Sequence, residues 1–412
     1  MAPVELVDIT RSAFKAHSHA FYARLRAASP VCRVALSNRE TAWLVARYDD
    51  VSSLLKDDRF AKDPANAMTP AQLRAQRRPP ALFAPLMRNM LGLDDPHHAR
   101  LKRLVQSAFT PRRVDQLASQ TQVTADALID NIGSRKRFDL IDDFAMPLPV
   151  TVVSMLLGVP KQDRDRFARW SHQLIRNTMT PLSVLISLPG MLAFMRYLRK
   201  LIEMKRAVPE DDLVSALVQA NLDMKLDADE LVAMSAILLS AGHETTTNLV
   251  GNGLLSLLDD HASLNALREQ PQLLESGIEE LLRFAGPVEM STHRYAREDV
   301  DIAGTTIPRG SLVFGAIASA NRDGSRFANA DRLDLERVQN RYLTFGEGGH
   351  YCVGAALARL EGRIAFETLL RRLPHLEHAD DPANLRWRSG LILRGLERFP
   401  LVNRIPGRTR ML

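Results

Sequence analysis

Phe345-Gly346-Glu347-Gly348-Gly349-His350-Tyr351-Cys352-Val353-Gly354 (FGEGGHYCVG) is the stretch whose reading decides the fold. Glycines flank a single cysteine, and the chain then runs into AALARLEGRIAFETLLRRL, an amphipathic helical pattern. A cysteine so placed sits at or just before a helix N-terminus, where free N–H groups and the helix dipole favour a thiolate. The glycines allow tight turns and leave room for something flat and large to approach the sulfur. By itself, a cysteine at a helix start also fits a small buried core residue. The rest of the chain has to decide between the two.

The 412 residues, 46% of them hydrophobic, suffice for one large core. No Ser/Gly-rich linker, low-complexity tract or repeat marks a boundary, so residues 1–412 are expected to form one domain. Two cysteines, Cys32 and Cys352, cannot build a disulfide framework, which fits a reducing cytoplasm. The N-terminus MAPVELVDITRSAFKAH lacks the apolar core of a signal peptide or membrane anchor, so a soluble protein is expected. A net charge of +6 from 54 basic and 48 acidic residues makes the surface lean basic. The charges interleave and no aromatic–basic stacking platform is present, which argues against nucleic acid and for an acidic protein partner.

Residues 17–29 read as a helix, and CRVALSNRETAWLVARY alternates like strands. Asp49 and Asp50 are read as caps of the short helix VSSLLKD. From Arg59 to about Leu93, Pro64, Pro70, Pro79, Pro80 and Pro85 break an apolar stretch carrying Phe83, Leu86, Met87, Met90 and Leu91, the pattern of a lid or binding wall. Helices are predicted at 96–108, 111–132, 148–157, 161–178 and 272–285. The segment PLSVLISLPGMLAFMRYLRKLIEMKR, interrupted by Pro181 and Pro189, falls short of a membrane span and reads as a helix pair with a mobile connection. Residues 229–260 are the longest helical candidate, apolar nearly all round at first and so buried. Polar residues His243, Glu244, Thr245, Thr246 and Thr247 then cluster at its middle, which is costly without a cavity or partner. Short strands around VDIAGTTIPRGSLVFGAIA precede the cysteine loop, and LRWRSGLILRGLERFPLVN reads as a C-terminal hairpin. The whole is mainly α with a small β portion.

The loop matches F-G-x-G-x-H-x-C-x-G at every defined position and resembles the haem-binding loop of the cytochrome P-450 family. Ala241-Gly242-His243-Glu244-Thr245 is similar to that family's oxygen-binding segment. Glu280 and Arg283, three apart on one helix face, resemble with Arg337 the family's structural triad, which holds the loop and does no chemistry. Arg294 matches the family's propionate-binding arginine, and His98 the histidine of the helix lying over the proximal side of the haem. Ala320-Asn321-Arg322-Asp323 and Ile307-Pro308-Arg309-Gly310 extend the resemblance over nearly the whole chain. Three positions depart from the usual pattern: Lys102 stands for an arginine and loses its fork, Tyr342 stands for a histidine and supplies no cation, and Asp95 stands for a proline.

The resemblance implies haem b (iron protoporphyrin IX) sandwiched between the long central helix and the cysteine loop, with Cys352 as the metal ligand. Ala241, His98, Lys102, Arg294, Tyr342, Phe345, Gly346, His350 and Gly354 would contact the cofactor. Thiolate donation favours O–O cleavage, and Glu244 with Thr245 would deliver the protons by which one oxygen of dioxygen leaves as water. The other enters a substrate C–H or C=C bond, making this a monooxygenase of the bacterial soluble class. The length leaves no room for a fused reductase, so a ferredoxin or flavodoxin with its reductase, drawing on NAD(P)H, is expected. Arg100, Lys102, Arg103, Arg112, Arg113, Arg359 and Arg363 would steer it. A monomer is expected.

Two rival readings are a peroxide-driven peroxygenase and a haem-thiolate sensor without turnover; the intact Glu244–Thr245 pair argues against both. A zinc site on Cys352, His350 and His97 or His98 lacks ligand spacing. The substrate pocket is expected from Met87, Met90, Leu91, Ile237, Leu238, Val288, Met290, Leu391 and Ile392, all apolar. A hydrophobic small molecule of secondary metabolism, such as a polyketide, macrolide, terpenoid, steroid or fatty acid, is implied.

Overall fold

A helix that is apolar on every side has to be surrounded, and the chain is arranged around one. The computed structural model describes residues 6–37, 40–76, 89–164, 166–167, 169–170, 181–224 and 228–404. In chain order the elements are α1 (Ser12–Ala28), β1 (Val31–Ala35), β2 (Thr41–Val45), α2 (Tyr48–Lys56), β3 (Phe60–Ala61), α3 (Pro70–Ala75), α4 (His97–Ala108) and α5 (Pro111–Ile132). Then come β4 (Arg137–Asp139), α6 (Pro147–Leu156), α7 (Pro181–Ala207), α8 (Leu213–Met224), α9 (Ala228–Asp259), α10 (His261–Glu269) and α11 (Leu274–Phe284). The last part holds β5 (Arg294–Ala296), β6 (Val300–Ile302), β7 (Thr305–Ile307), β8 (Leu312–Gly315), α12 (Ile317–Ala320), α13 (Ala355–Arg372), β9 (Leu376–His378) and β10 (Pro400–Asn403).

The central helix α9 buries Leu231, Val232, Met234, Leu249, Val250, Leu254 and Leu257 in the main core, shared with α4 to α8, α11 and α13. Helix α13, which follows the cysteine loop, lies against it at close range. A Cβ on Gly253 would stand 2.6 Å from the Phe366 ring, so only glycine lets the two helices approach this far. A second sub-core packs α2 on the five-stranded sheet, whose order is β1-β2-β8-β5-β3. A third packs α1 against the same sheet region through Ile9, Tyr22, Leu44 and Phe314. A separate sheet runs β4-β10-β9, and β6 with β7 forms a hairpin. Among the described residues, no helix is long and apolar enough to cross a membrane.

Several sequence-based expectations shift. Helix α1 begins at Ser12, not at residue 17. Asp49 and Asp50 lie inside the first turn of α2; the capping acceptor for Tyr48 N–H is the distant Asp323, at 2.8 Å. The pair expected around Pro189 is a single helix, α7, with the proline inside it. Proline forfeits one backbone hydrogen bond, while the following residues Phe194, Leu198, Leu201 and Ile202 are buried and hold the helix straight through. The C-terminal hairpin forms only around its turn, where Arg388 N–H bonds Gly395 O at 2.9 Å; residues 400–403 leave it to pair with β4 and β9.

One buried carboxyl ties α13 to α9. Leu357, Glu361, Ile364 and Thr368 follow one helical face into the core, so Glu361 is fully buried. Its Oε2 accepts from Thr246 Oγ1 at 2.8 Å, and Oε1 has no partner. Burial pushes this carboxyl up to about 8. Because the folded value lies above the unfolded one, its stabilising contribution is fully present below the unfolded pKa of ~4.3. That contribution is lost as pH rises through about 8. Glu361→Gln keeps an oxygen for Thr246 and removes the titration. Denaturant unfolding of the variant should therefore depend less on pH between about 5 and 8 than wild type, and parallel curves for the two proteins would contradict the assignment.

Candidate functional site

The cysteine loop is built by backbone turns that only glycine makes easily. Gly346 and Gly348 take φ of +72° and +68°. Cys352 N–H closes the loop on Phe345 O at 2.9 Å, and Gly346 N–H on Leu343 O at 2.8 Å. Helix α2 backs the outer side, with Ser52 Oγ donating to Glu347 Oε2 at 2.5 Å. Cys352 itself is exposed and unpaired, just before the N-terminus of α13. Desolvation pushes its thiol up, while the Gly354 N–H, Arg359 and Lys102 pull it down. Phe345 packs under the Arg359 guanidinium, 4.5 Å from its ring centre.

The loop is held from behind by the Glu280 system. Glu280 pairs with Arg283 at 2.7 Å and with Arg337 at 3.1 Å. Arg283 also donates to the carbonyls of Asn321 and Ala330, at 2.7 and 2.8 Å. Asn321 Oδ1 accepts from Leu343 N–H at 2.7 Å, and its Nδ2 donates to Thr344 Oγ1 at 2.8 Å. The three residues of the expected triad thus meet, and their geometry reaches the loop through Asn321.

One edge of the loop carries a set of basic side chains. His98 stacks on His350 with ring centres 3.9 Å apart, and its Nδ1 faces Asp95 at 3.1 Å. Burial, followed by the charges of Lys62, His98, Arg294 and Lys102, drives His350 down to about 2, and its Nδ1 has no partner among the described residues. Lys102 Nζ donates to Gly349 O. Arg294 is 3% exposed, donates to Leu55 O at 3.0 Å, and is pulled down to about 10 by burial. Tyr342 is not part of this set: its hydroxyl donates to Glu279 at 2.7 Å and accepts from Arg359 at 3.1 Å. The neighbouring acid and arginine give a neutral phenol a better partner than the edge does.

Residues 230–235 and 246–254 of α9 are buried, yet the middle between them presents an accessible stripe. Ser240 and Ala241 are exposed, and Ile237, Glu244 and Thr245 are half-buried, while His243, Thr246 and Thr247 are buried. The spacing 237, 240/241, 244/245 is one helical face. This face is thus left open along a helix otherwise packed in the core. Thr245 Oγ1 donates to Ala241 O at 2.8 Å. Burial raises the Glu244 carboxyl, and Arg388, whose Nη1 lies 3.9 Å away, opposes it.

The expected pocket residues divide. Ile237 is on the accessible stripe, and Val288, Leu391, Ile392 and Leu91 are half-buried. Leu238 points into the main core, one position round the helix from the stripe. Met90 also packs in that core, and Met290 is 0% exposed in the cluster with Tyr22 and Phe314. All three side chains pack in buried clusters. Met87 lies outside the described residues. The sequence reading missed Lys62, Arg388 and Glu361. Only Glu361 left a signal, a charge inside the apolar stripe of a helix; the other two are brought in by long-range pairing. Of the expected steering residues, Arg100 pairs with Glu230 at 2.7 Å, Arg113 with Asp211 at 2.9 Å and Arg359 with Glu279 at 2.6 Å. Arg103, Arg112 and Arg363 are exposed.

A haem fits these residues: an exposed cysteine sulfur in a glycine loop, an accessible stripe on α9, and buried edge cations with an unpartnered His350 nitrogen suited to carboxylates. A profile of the cytochrome P450 family matches residues 5–397. The chain is 45% identical to cytochrome P450 107B1 of Saccharopolyspora erythraea over 394 residues, 94% of this chain and 96% of that protein. The crystal structure of myxobacterial cytochrome P450 CYP267B1 in complex with myristic acid superposes with a TM-score of 0.89 at 40% identity, covering 96% of this chain and 99% of that one. Bacillus subtilis PksS, the cytochrome P450 of the bacillaene polyketide synthase, gives 0.89 at 37% identity, covering 97% and 100%. The chain therefore belongs to the cytochrome P450 family of haem-thiolate monooxygenases.

Proposed function

We propose that residues 1–412 form one haem domain in which Cys352 binds haem b and an apolar substrate of polyketide, macrolide or fatty-acid type is hydroxylated. The observation that carries this reading is the accessible stripe Ile237–Ala241–Thr245 on a helix otherwise sunk in the core. When bound, the haem activates dioxygen, so that one oxygen enters a substrate C–H bond and the other becomes water. The chain's residues have separable tasks. Cys352 Sγ holds the iron, with Gly354 N–H donating to the sulfur and moderating its electron donation. His98, Lys102, Arg294 and His350 hold the carboxylate edge. Ile237, Val288, Leu391 and Ile392 line an apolar wall that excludes water and orients the substrate. Relatives named for polyketide work and a neighbour holding myristic acid support a long, hydrophobic substrate.

Glu244 is suited to passing protons, since burial raises its carboxyl above its ordinary value and the Arg388 charge opposes that rise. Thr245 Oγ1, now on the Ala241 carbonyl, is free to turn its hydrogen toward the cavity. Electrons come from a separate ferredoxin or flavodoxin in the cytoplasm, guided by Arg103, Arg112 and Arg363.

Removing either proton-handling group should leave haem and substrate binding intact. Thr245→Ala should keep consuming NAD(P)H but divert much of it to hydrogen peroxide, and Glu244→Gln should slow turnover by roughly a hundredfold or more. Product formed per NAD(P)H decides this; a Thr245→Ala variant as tightly coupled as wild type contradicts the role. Activity on added peroxide with none from a redox partner would instead favour a peroxygenase. Reduction by an acidic ferredoxin should slow as salt rises, because exposed charges are screened over about 8–10 Å. In the triple variant Arg103→Ala/Arg112→Ala/Arg363→Ala, the salt dependence should flatten; an unchanged dependence contradicts the assigned face.

A further inference from the structure

Building on the haem reading above, we propose that Lys62 is a further cofactor-binding residue, pairing with a haem propionate from the strand opposite Arg294. The register of β3 on β5 sets Phe60 against Ala296 and Ala61 against Tyr295. Lys62 follows just past the end of β3, and its Nζ reaches the carbonyl of His293, the residue before Arg294. Both side chains are nearly out of water, at 2% and 3% exposure. The Arg294 charge bears on Lys62, like charges repel, and a buried ammonium without a counter-charge is costly. The arrangement asks for an anion.

Among the described residues none meets that demand. Lys62 Nζ donates to Thr292 Oγ1 and to the carbonyls of Thr292, at 3.3 Å, and His293, at 3.0 Å. These acceptors orient the ammonium but carry no charge. Asp94 is the carboxylate whose field reaches both Lys62 and Arg294. It spends Oδ1 on the Lys62 backbone N–H, and Oδ2 on Asp63 N–H and the Asn66 amide. Arg294 donates to Leu55 O, which a Cβ on Gly348 of the cysteine loop would approach to 3.3 Å, so the basic pair lies on the loop side of the sheet. A carboxylate lying between Lys62, Arg294 and His350 satisfies all three. Tyr342, whose hydroxyl faces Glu279, supplies no cation there.

The test uses holoprotein without substrate and follows haem transfer to excess apomyoglobin. A holoprotein carrying one haem per chain settles the haem reading by itself, independently of Lys62. Lys62→Gln retains a donor for Thr292 and His293 but no charge, and Lys62→Arg retains the charge. A charged hydrogen bond of ordinary strength predicts transfer about tenfold to a hundredfold faster in Lys62→Gln. Lys62→Arg should stay within about threefold of wild type. Equal rates in wild type and Lys62→Gln overturn the proposal, as do equally accelerated rates in both variants, which would mark a purely structural lysine. Unchanged haem transfer with weaker binding of a long-chain fatty acid, but not of its methyl ester, would assign Lys62 to a substrate carboxylate and also overturn it.

Discussion

The Glu280–Arg283 pair, with both side chains wholly out of water, is the constraint on which the rest of the site depends. Breaking a buried pair leaves an uncompensated charge and typically costs about 3–5 kcal/mol. Here the arginine is also a hub, since its remaining donors hold the carbonyls of Asn321, Ala330 and Arg332. Asn321 then fixes Leu343 and Thr344, and from them the glycine turns lead to Cys352. A charge buried far from any reaction thus determines where a sulfur stands.

The second constraint is the close approach of α9 and α13. Gly253 against Phe366, Gly362 against Leu249 and the Thr246–Glu361 hydrogen bond lock the two helices side by side. One helix begins at the cysteine loop and the other carries the accessible stripe, so their packing positions the thiolate and the Glu244–Thr245 pair in one frame. Dense interiors transmit small displacements. The relative placing of these groups is therefore tied to the packing of the core around the two helices.

Much of this was legible in the sequence because it is local. The bounds of α5 (Pro111–Ile132) and nearly those of α9 follow from helical periodicity, and the cysteine loop from its glycines. What was missed depends on contacts between distant segments. Asp323 caps α2 from 275 residues away, displacing Asp49 and Asp50 from that role. Pro189 reads as a break, yet tertiary burial carries α7 through it. Leu238, Met90 and Met290 are apolar and near the site in sequence, and composition cannot tell a core methyl from a pocket wall. Lys62 and Arg388 belong to no local pattern, and strand register or turn packing alone brings them to the site.

The central claim is that the Cys352 sulfur is the ligand of the iron, and the absorption of the reduced carbon monoxide complex tests it most directly. Wild-type protein should absorb near ~450 nm, the thiolate signature that histidine-ligated haem lacks. Cys352→His should lose that band, while Cys32→Ser, whose sulfur lies on β1 among apolar neighbours, should keep it. A wild-type complex without the band, or a band that survives in Cys352→His, would contradict the account.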